Sequence, residues 1–170
     1  NSVSYINDYT GNLVFVHNDA ATTSNLLDAS ISHVYNGYQA SSHMPKDPQC
    51  AVDFTNAMLP RVGLGFRLNA YQSLVPVTSA SGLDTSVYKY IYNDADGTIH
   101  YFFLDKTTNK IIDEDGLGYT ITDGTHGGKR ITTKDQTIMD FDATGRLAYI
   151  EDITGNTNTF TYTTYENTPY

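Results

Sequence analysis

The sequence predicts an all-β protein, an antiparallel meander of β-hairpins, and three observations carry that reading. Composition is the first: 170 residues hold 14 Tyr and 7 Phe with no Trp, and aromatic, Thr-rich chains suit the pleated, half-buried surface of a strand. The second is the alternation of apolar and polar residues in stretches such as "ISHVYNGY" and "GFRLNAYQSLVPV", the period of a strand with one buried face. Third is the turn motif Asp-x-x-Gly, which occurs five times: Asp8 to Gly11, Asp94 to Gly97, Asp113 to Gly116, Asp142 to Gly145 and Asp152 to Gly155. A type I turn favours Asp at its first position and Gly at its fourth, where a left-handed residue closes a three-residue hairpin loop. Each occurrence therefore nominates a hairpin.

Taken in order, the N-terminal motif sets Asp8 opposite Asn12, Asn7 opposite Leu13, Ile6 opposite Val14 and Tyr5 opposite Phe15. The two alternating stretches quoted above supply the next strands. Between them lies "KDPQCAVDFTNAMLP", where Asp47 as N-cap and Pro48 at the first helical position allow one short helix over 48–58, stopped before Pro60. In "YKYIYNDADGTIHYFF" the same loop length puts Tyr88, Tyr90 and Tyr92 on one face with His100, Phe102 and Leu104. Ile91, Ile99, Tyr101 and Phe103 fall on the other. With both faces apolar, this hairpin is expected to be covered on both sides or to present an aromatic face to a ligand.

The stretches "GYTITDG" and "KRITTKDQTIMDF" continue as strands to the last hairpins. There the register can be tested by sorting side chains. A three-residue loop at Ala143, Thr144 and Gly145 sets Asp142 against Arg146, Phe141 against Leu147 and Met139 against Tyr149, which separates apolar from charged groups. An even-length loop would mix them. The spacing between motifs is irregular, so no solenoid of fixed period is expected.

At this length one domain, 1–170, with a real core is expected. The net charge of -9 and pI near 4.7 oppose binding to nucleic acid or to anionic membrane surfaces. Apolar runs are too short for a membrane-spanning helix. Cys50 is the only cysteine, so an intrachain disulfide, a zinc cluster and a CxxC redox pair are all excluded. A chain that begins at Asn1 reads as a piece of a longer product.

Chemistry-bearing motifs are few. "DADG" and "DEDG" resemble the start of calcium loops but lack the later bidentate Glu, and turn chemistry accounts for them. His17, His33, His43, His100 and His126 contain no pair at i, i+4 spacing, so no metal site is expected. Cys50 beside His43 or His33 matches no thiol-protease signature. "GLGFRL" fails the dinucleotide fingerprint at Leu68, and "HGGKR" fails the phosphate loop at Arg130. What remains is an aromatic platform of Tyr88, Tyr90, Tyr92 and Phe102, whose faces could stack on sugar rings. Packing against neighbouring strands is the competing role for the same four. No cofactor is expected, and no nucleophile, base and orienter can be named together, so the chain is read as non-enzymatic.

One stretch carries a resemblance. "FDATGRLAYIEDITGNTNTFTY" resembles a YD (RHS) repeat, the hairpin unit built on Tyr-Asp, x, x, Gly-Arg-Leu, an aliphatic and a later Asp-x-x-Gly-Asn, with Phe141 where the family has Tyr. The segments "YTGNLVFVHND", "ISHVYN", "GLGFRLNAYQSL" and "YNDADGTIHYF" are similar to the region that precedes the YD array in secreted, wall-associated RHS-repeat proteins of Gram-positive bacteria. Phe66 stands where that family has Trp, and Tyr38 to Pro60 is longer than the family leads one to expect. The resemblance assigns 1–135 to the preceding region and 136–170 to the first YD-type repeat. It implies the start of a β-hairpin shell or surface scaffold, a location outside the cell or on its wall, and flanking YD repeats as partners. Self-association through sheet edges and contact with wall glycan belong to the same expectation, the latter being the alternative function of a carbohydrate-binding module.

Overall fold

The computed structural model describes residues 2–6, 11–22, 27–37 and 65–162. The helix expected over 48–58 lies outside the described residues. Within them the fold is all-β, three antiparallel sheets whose strands follow one another in chain order. The first sheet contains β1 (Ser2–Ile6), β2 (Leu13–Thr22), β3 (Ala29–Asn36) and β4 (Phe66–Leu68). In the second are β5 (Ser73–Pro76), β6 (Tyr88–Asn93), β7 (Ile99–Asp105) and β8 (Lys110–Asp113). The third holds β9 (Thr120–Asp123), β10 (Gly127–Thr132), β11 (Ile138–Asp142), β12 (Leu147–Glu151) and β13 (Thr157–Thr159).

Three of the turns are chemically one unit. In each, the Asp N–H bonds to the carbonyl four residues on, and the Gly N–H bonds to the Asp carbonyl: Asp94 with Thr98 and Gly97, Asp142 with Arg146 and Gly145, Asp152 with Asn156 and Gly155. One carboxylate oxygen of each Asp accepts the N–H groups two and four residues later, for instance Thr144 at 2.8 Å and Arg146 at 3.0 Å on Asp142. The closing glycines have φ of 82°, 86° and 84°, which is the left-handed region that glycine enters without strain.

A fourth turn of this kind has no Asp-x-x-Gly. Between β10 and β11 the Thr133 hydroxyl accepts the Thr137 N–H at 3.1 Å, and Gln136 takes the left-handed position at φ 67°. Thus "KRITTKDQTIMDF", which continues the strand pattern in the sequence, is two strands joined by a turn that the sequence did not nominate. The Asp113 motif departs in the opposite sense. Its carboxylate caps Leu117, Gly118 and Tyr119 N–H groups, and the chain passes from the second sheet to the third instead of folding back as a hairpin.

Register follows the three-residue loop near the turns and departs further out. In the 88–103 hairpin the pairs Asn93 with Ile99, Tyr92 with His100, Ile91 with Tyr101 and Tyr90 with Phe102 form as expected, but a bulge between Tyr88 and Tyr90 then sets Tyr88 opposite Phe103. Phe141 faces Leu147 as expected, whereas Tyr149 faces Asp140 and Met139 faces Ile150. The extra residue is Ala148, and the bulge lets both Leu147 and Ala148 be buried while the Tyr149 hydroxyl reaches Arg130. At the N-terminus Ile6 faces Leu13 and Tyr5 faces Val14, one residue from the expected register. All five β1 residues are exposed, so no buried face pins the register of that strand.

The core lies between the second and third sheets. Leu74, Tyr92 and Phe102 from one meet Ile131, Met139, Phe141 and Leu147 from the other in a single cluster. Each fully buried aliphatic or aromatic side chain there contributes ~2 kcal/mol. The two sheets are also joined by backbone: Ser73 bridges Arg146, Leu74 N–H donates to Gly145 C=O at 2.9 Å, and Leu147 N–H donates to Gln72 C=O at 3.2 Å. The first sheet buries Val14 and Val34, each 1% exposed, and makes polar contacts to the second. Asn36, 2% exposed, donates to the Asp96 carbonyl at 3.1 Å, and the Tyr5 hydroxyl donates to the Asp96 carboxylate.

Candidate functional site

The four aromatic residues of the expected platform do not share an exposed face. Tyr92 and Phe102 are 3% and 0% exposed and belong to the core, where Tyr92 packs on Phe141 with ring centroids 6.0 Å apart. Its hydroxyl donates to Gln72 at 2.6 Å, and burial raises its pKa well above the ordinary tyrosine value. Tyr90 is half-buried against the same cluster. The bulge carries Tyr88 to the opposite face, where it meets Tyr101 edge-on at 5.8 Å. The two-sided cover expected of this hairpin is therefore supplied on the Tyr92 face by the third sheet.

One buried polar site was not assigned partners from the sequence. His100, on β7, is clamped between two turns: Nδ1 lies 2.6 Å from Asp115 and Nε2 3.1 Å from Asp94, with the ring stacked on Tyr92 at 5.7 Å. Burial alone would lower the imidazole pKa, but hydrogen bonds and charge from Asp94 and then Asp115 outweigh it and raise it from 6.5 to about 9. A histidine held as imidazolium at neutral pH has no lone pair with which to act as a base. Its chemistry is that of a cross-brace between the β6–β7 turn and the turn that follows β8.

A second cluster surrounds Asp140 on β11, which is completely buried. Its carboxylate accepts the Thr125 and His126 N–H groups, the Arg130 Nε at 3.0 Å and a hydrogen bond from the His126 ring at 2.9 Å. Arg130 in turn donates to Tyr149 at 2.7 Å. Burial works against the charge, yet the backbone bond from Thr125 and the contacts of His126 and Arg130 hold the carboxyl below its ordinary value. The Gly-Gly pair has two reasons: Gly127 takes a left-handed φ of 84°, and a Cβ on Gly128 would lie 2.1 Å from the Asp142 carbonyl oxygen. That pair opens β10.

The remaining candidates are used locally. Asp94 and Asp96 of "DADG" cap their own turn, and both accept the Thr98 N–H. Asp113 and Asp115 of "DEDG" serve the cap and His100. His17 and His33 are cross-strand partners on β2 and β3, and Asp19 lies 2.5 Å from His33. Among the described residues no group of three or more His, Cys, Asp or Glu side chains is placed to hold a metal ion. Cys50 and His43 lie outside the described residues. A cleft of about 470 Å³ opens between the ends of β2 and β3, the β4–β5 turn and β13, lined by residues such as Ile31, Asn69, Ile150 and Phe160, and Asn158 reaches across to the Asp28 carbonyl at 3.1 Å.

Comparison with protein-family models, with curated proteins and with solved structures returned no match. The functional reading is therefore built on this chain's own residues.

Proposed function

We propose that this chain is a non-enzymatic structural segment of an extracellular or wall-associated scaffold of the RHS type, in which hairpins pair with further hairpins. One observation carries the reading: in all three sheets the strands lie in chain order, and in the second and third sheets the same Asp-anchored turn, at Asp94, Asp142 and Asp152, folds a strand back on its predecessor. A strip built this way grows at its edge, and β13, the last described strand, pairs with β12 alone among the described residues. The motif from Phe141 to Tyr162 supplies the resemblance, and it coincides with the β11–β12–β13 strip. Its buried polar groups support the same view, since His100 and Asp140 are engaged in bracing turns.

The test is sedimentation equilibrium over a wide concentration range, with purified wall glycan in a parallel cell. Self-association without glycan binding supports the scaffold. A strict monomer that binds glycan and loses it on Tyr90→Ala would make the chain a carbohydrate-binding module instead.

A further inference from the structure

The sheet edges differ in how they are protected against pairing. Edge strands are ordinarily blunted by charge, proline, bulges or brevity. Here β4 carries Arg67, β5 ends in Pro76, β8 carries Lys110 and Asp113, and β9 carries Asp123, while β13, with only 3 residues, is the edge that the scaffold reading assigns to further hairpins. β1 has none of these devices. Its five residues, Ser-Val-Ser-Tyr-Ile, are uncharged and all exposed, with Val3 at 64% and Ile6 at 63%, and they run in unbroken register along β2. Among the described residues β1 pairs with β2 alone. In a chain of net charge -9, an uncharged edge is where two copies can meet without opposing like charges.

We infer that β1 pairs antiparallel with β1 of a second copy, with Ser4 on the two-fold axis, so that two four-stranded sheets join into one. This register pairs all five residues, whereas any slip leaves some unpaired. It sets Val3 opposite Tyr5 on one face, a β-branched residue against an aromatic, and Ser2 opposite Ile6 on the other. The contact is isologous and closes at two copies. The inference rests on the scaffold reading, in which open edges are the working surfaces.

The experiment uses the whole chain and sedimentation equilibrium. A monomer–dimer equilibrium is expected. Ser4→Lys places two ammonium groups face to face at the axis and raises the dissociation constant by about tenfold or more, and Ser4→Glu does the same with carboxylates. An equimolar mixture of the two variants recovers the dimer, because each lysine then faces a glutamate. Near-ultraviolet circular dichroism checks that both variants keep the native packing. A monomer at every concentration, a dimer indifferent to Ser4→Lys, an open-ended polymer, or a mixture as dissociated as its components would each overturn the assignment. The glycan cell separates the two readings. Glycan binding that Tyr90→Ala abolishes would remove the scaffold reading while a Ser4-dependent dimer stood, and a glycan-free dimer blind to Ser4→Lys would do the reverse.

Discussion

Gly145 and Gly155 close consecutive turns of the same kind, at φ 86° and 84°, yet their surroundings differ, and replacing each with alanine separates turn strain from packing between sheets. A Cβ on Gly155 would meet nothing within 4 Å, while one on Gly145 would lie 2.7 Å from the Leu74 carbonyl oxygen and 2.7 Å from Val75 Cγ1. Gly155→Ala therefore costs only the left-handed conformation, ~1–2 kcal/mol, less the ~0.4–1 kcal/mol returned because the unfolded chain has lost glycine's freedom. The net loss is about 1 kcal/mol. Gly145→Ala adds overpacking of ~1–3 kcal/mol against β5. It also displaces the carbonyl that accepts the Leu74 N–H at 2.9 Å, a bond worth ~1 kcal/mol. With the turn strain of about 1 kcal/mol included, the expected total is about 3–5 kcal/mol. Urea unfolding followed by circular dichroism measures both, at unchanged slope. Equal losses, or a larger one for Gly155→Ala, would refute the view that the Gly145 turn is the point where the third sheet seats on the second.

His100 makes stability pH-dependent on the alkaline side. Its folded pKa, raised from 6.5 to about 9, means that its stabilisation is fully present below about pH 6.5 and is lost as pH rises through 9. His100→Gln should flatten that decline in unfolding free energy between pH 6.5 and 9.5, and a decline left intact in the variant would assign it to other groups. Asp140 acts in the acid range: its depressed pKa contributes stability present above the ordinary carboxyl range and lost as pH falls through the folded value. Asp140→Asn, which leaves Arg130 without its buried partner, is expected to cost about 2–4 kcal/mol at pH 7, read as a fall in the urea midpoint. A loss below about 0.5 kcal/mol, the size of an ordinary surface substitution, would place the cluster outside the stabilising core.

Much of the fold was legible because it is local. An Asp carboxylate that caps the N–H groups two and four residues on, with a glycine that enters the left-handed region, needs nothing beyond five residues of chain, so all five motifs could be read as hairpin turns, and of the four fully described ones three, at Asp94, Asp142 and Asp152, have the expected bonds. The turn at Thr133 was missed because a hydroxyl and Gln136 perform the parts of Asp and Gly. Asp113 misled because the same carboxylate can cap a departing chain as readily as a returning one. Tyr92 and Phe102 were legible as members of one face, for which packing and ligand binding were both open, and the structure places both in the core. His100 and Asp140 gave no signal, since their partners lie 15 and 10 residues or more away along some of their contacts.

By itself, then, the sequence determined the class of fold, the hairpin turns at Asp94, Asp142 and Asp152 and the pairing next to the first two of them, all consequences of strand periodicity and of hydrogen bonds between near neighbours. Only the tertiary structure decided where the registers slip, which aromatic face is covered and where the sheets join. The bulges at Lys89 and Ala148 exist to satisfy contacts with another strand or sheet: Tyr88 against Tyr101, and Tyr149 against Arg130 while Leu147 stays in the core. Periodicity along one strand carries no information about what the facing sheet requires, and a single inserted residue is enough to exchange its two faces.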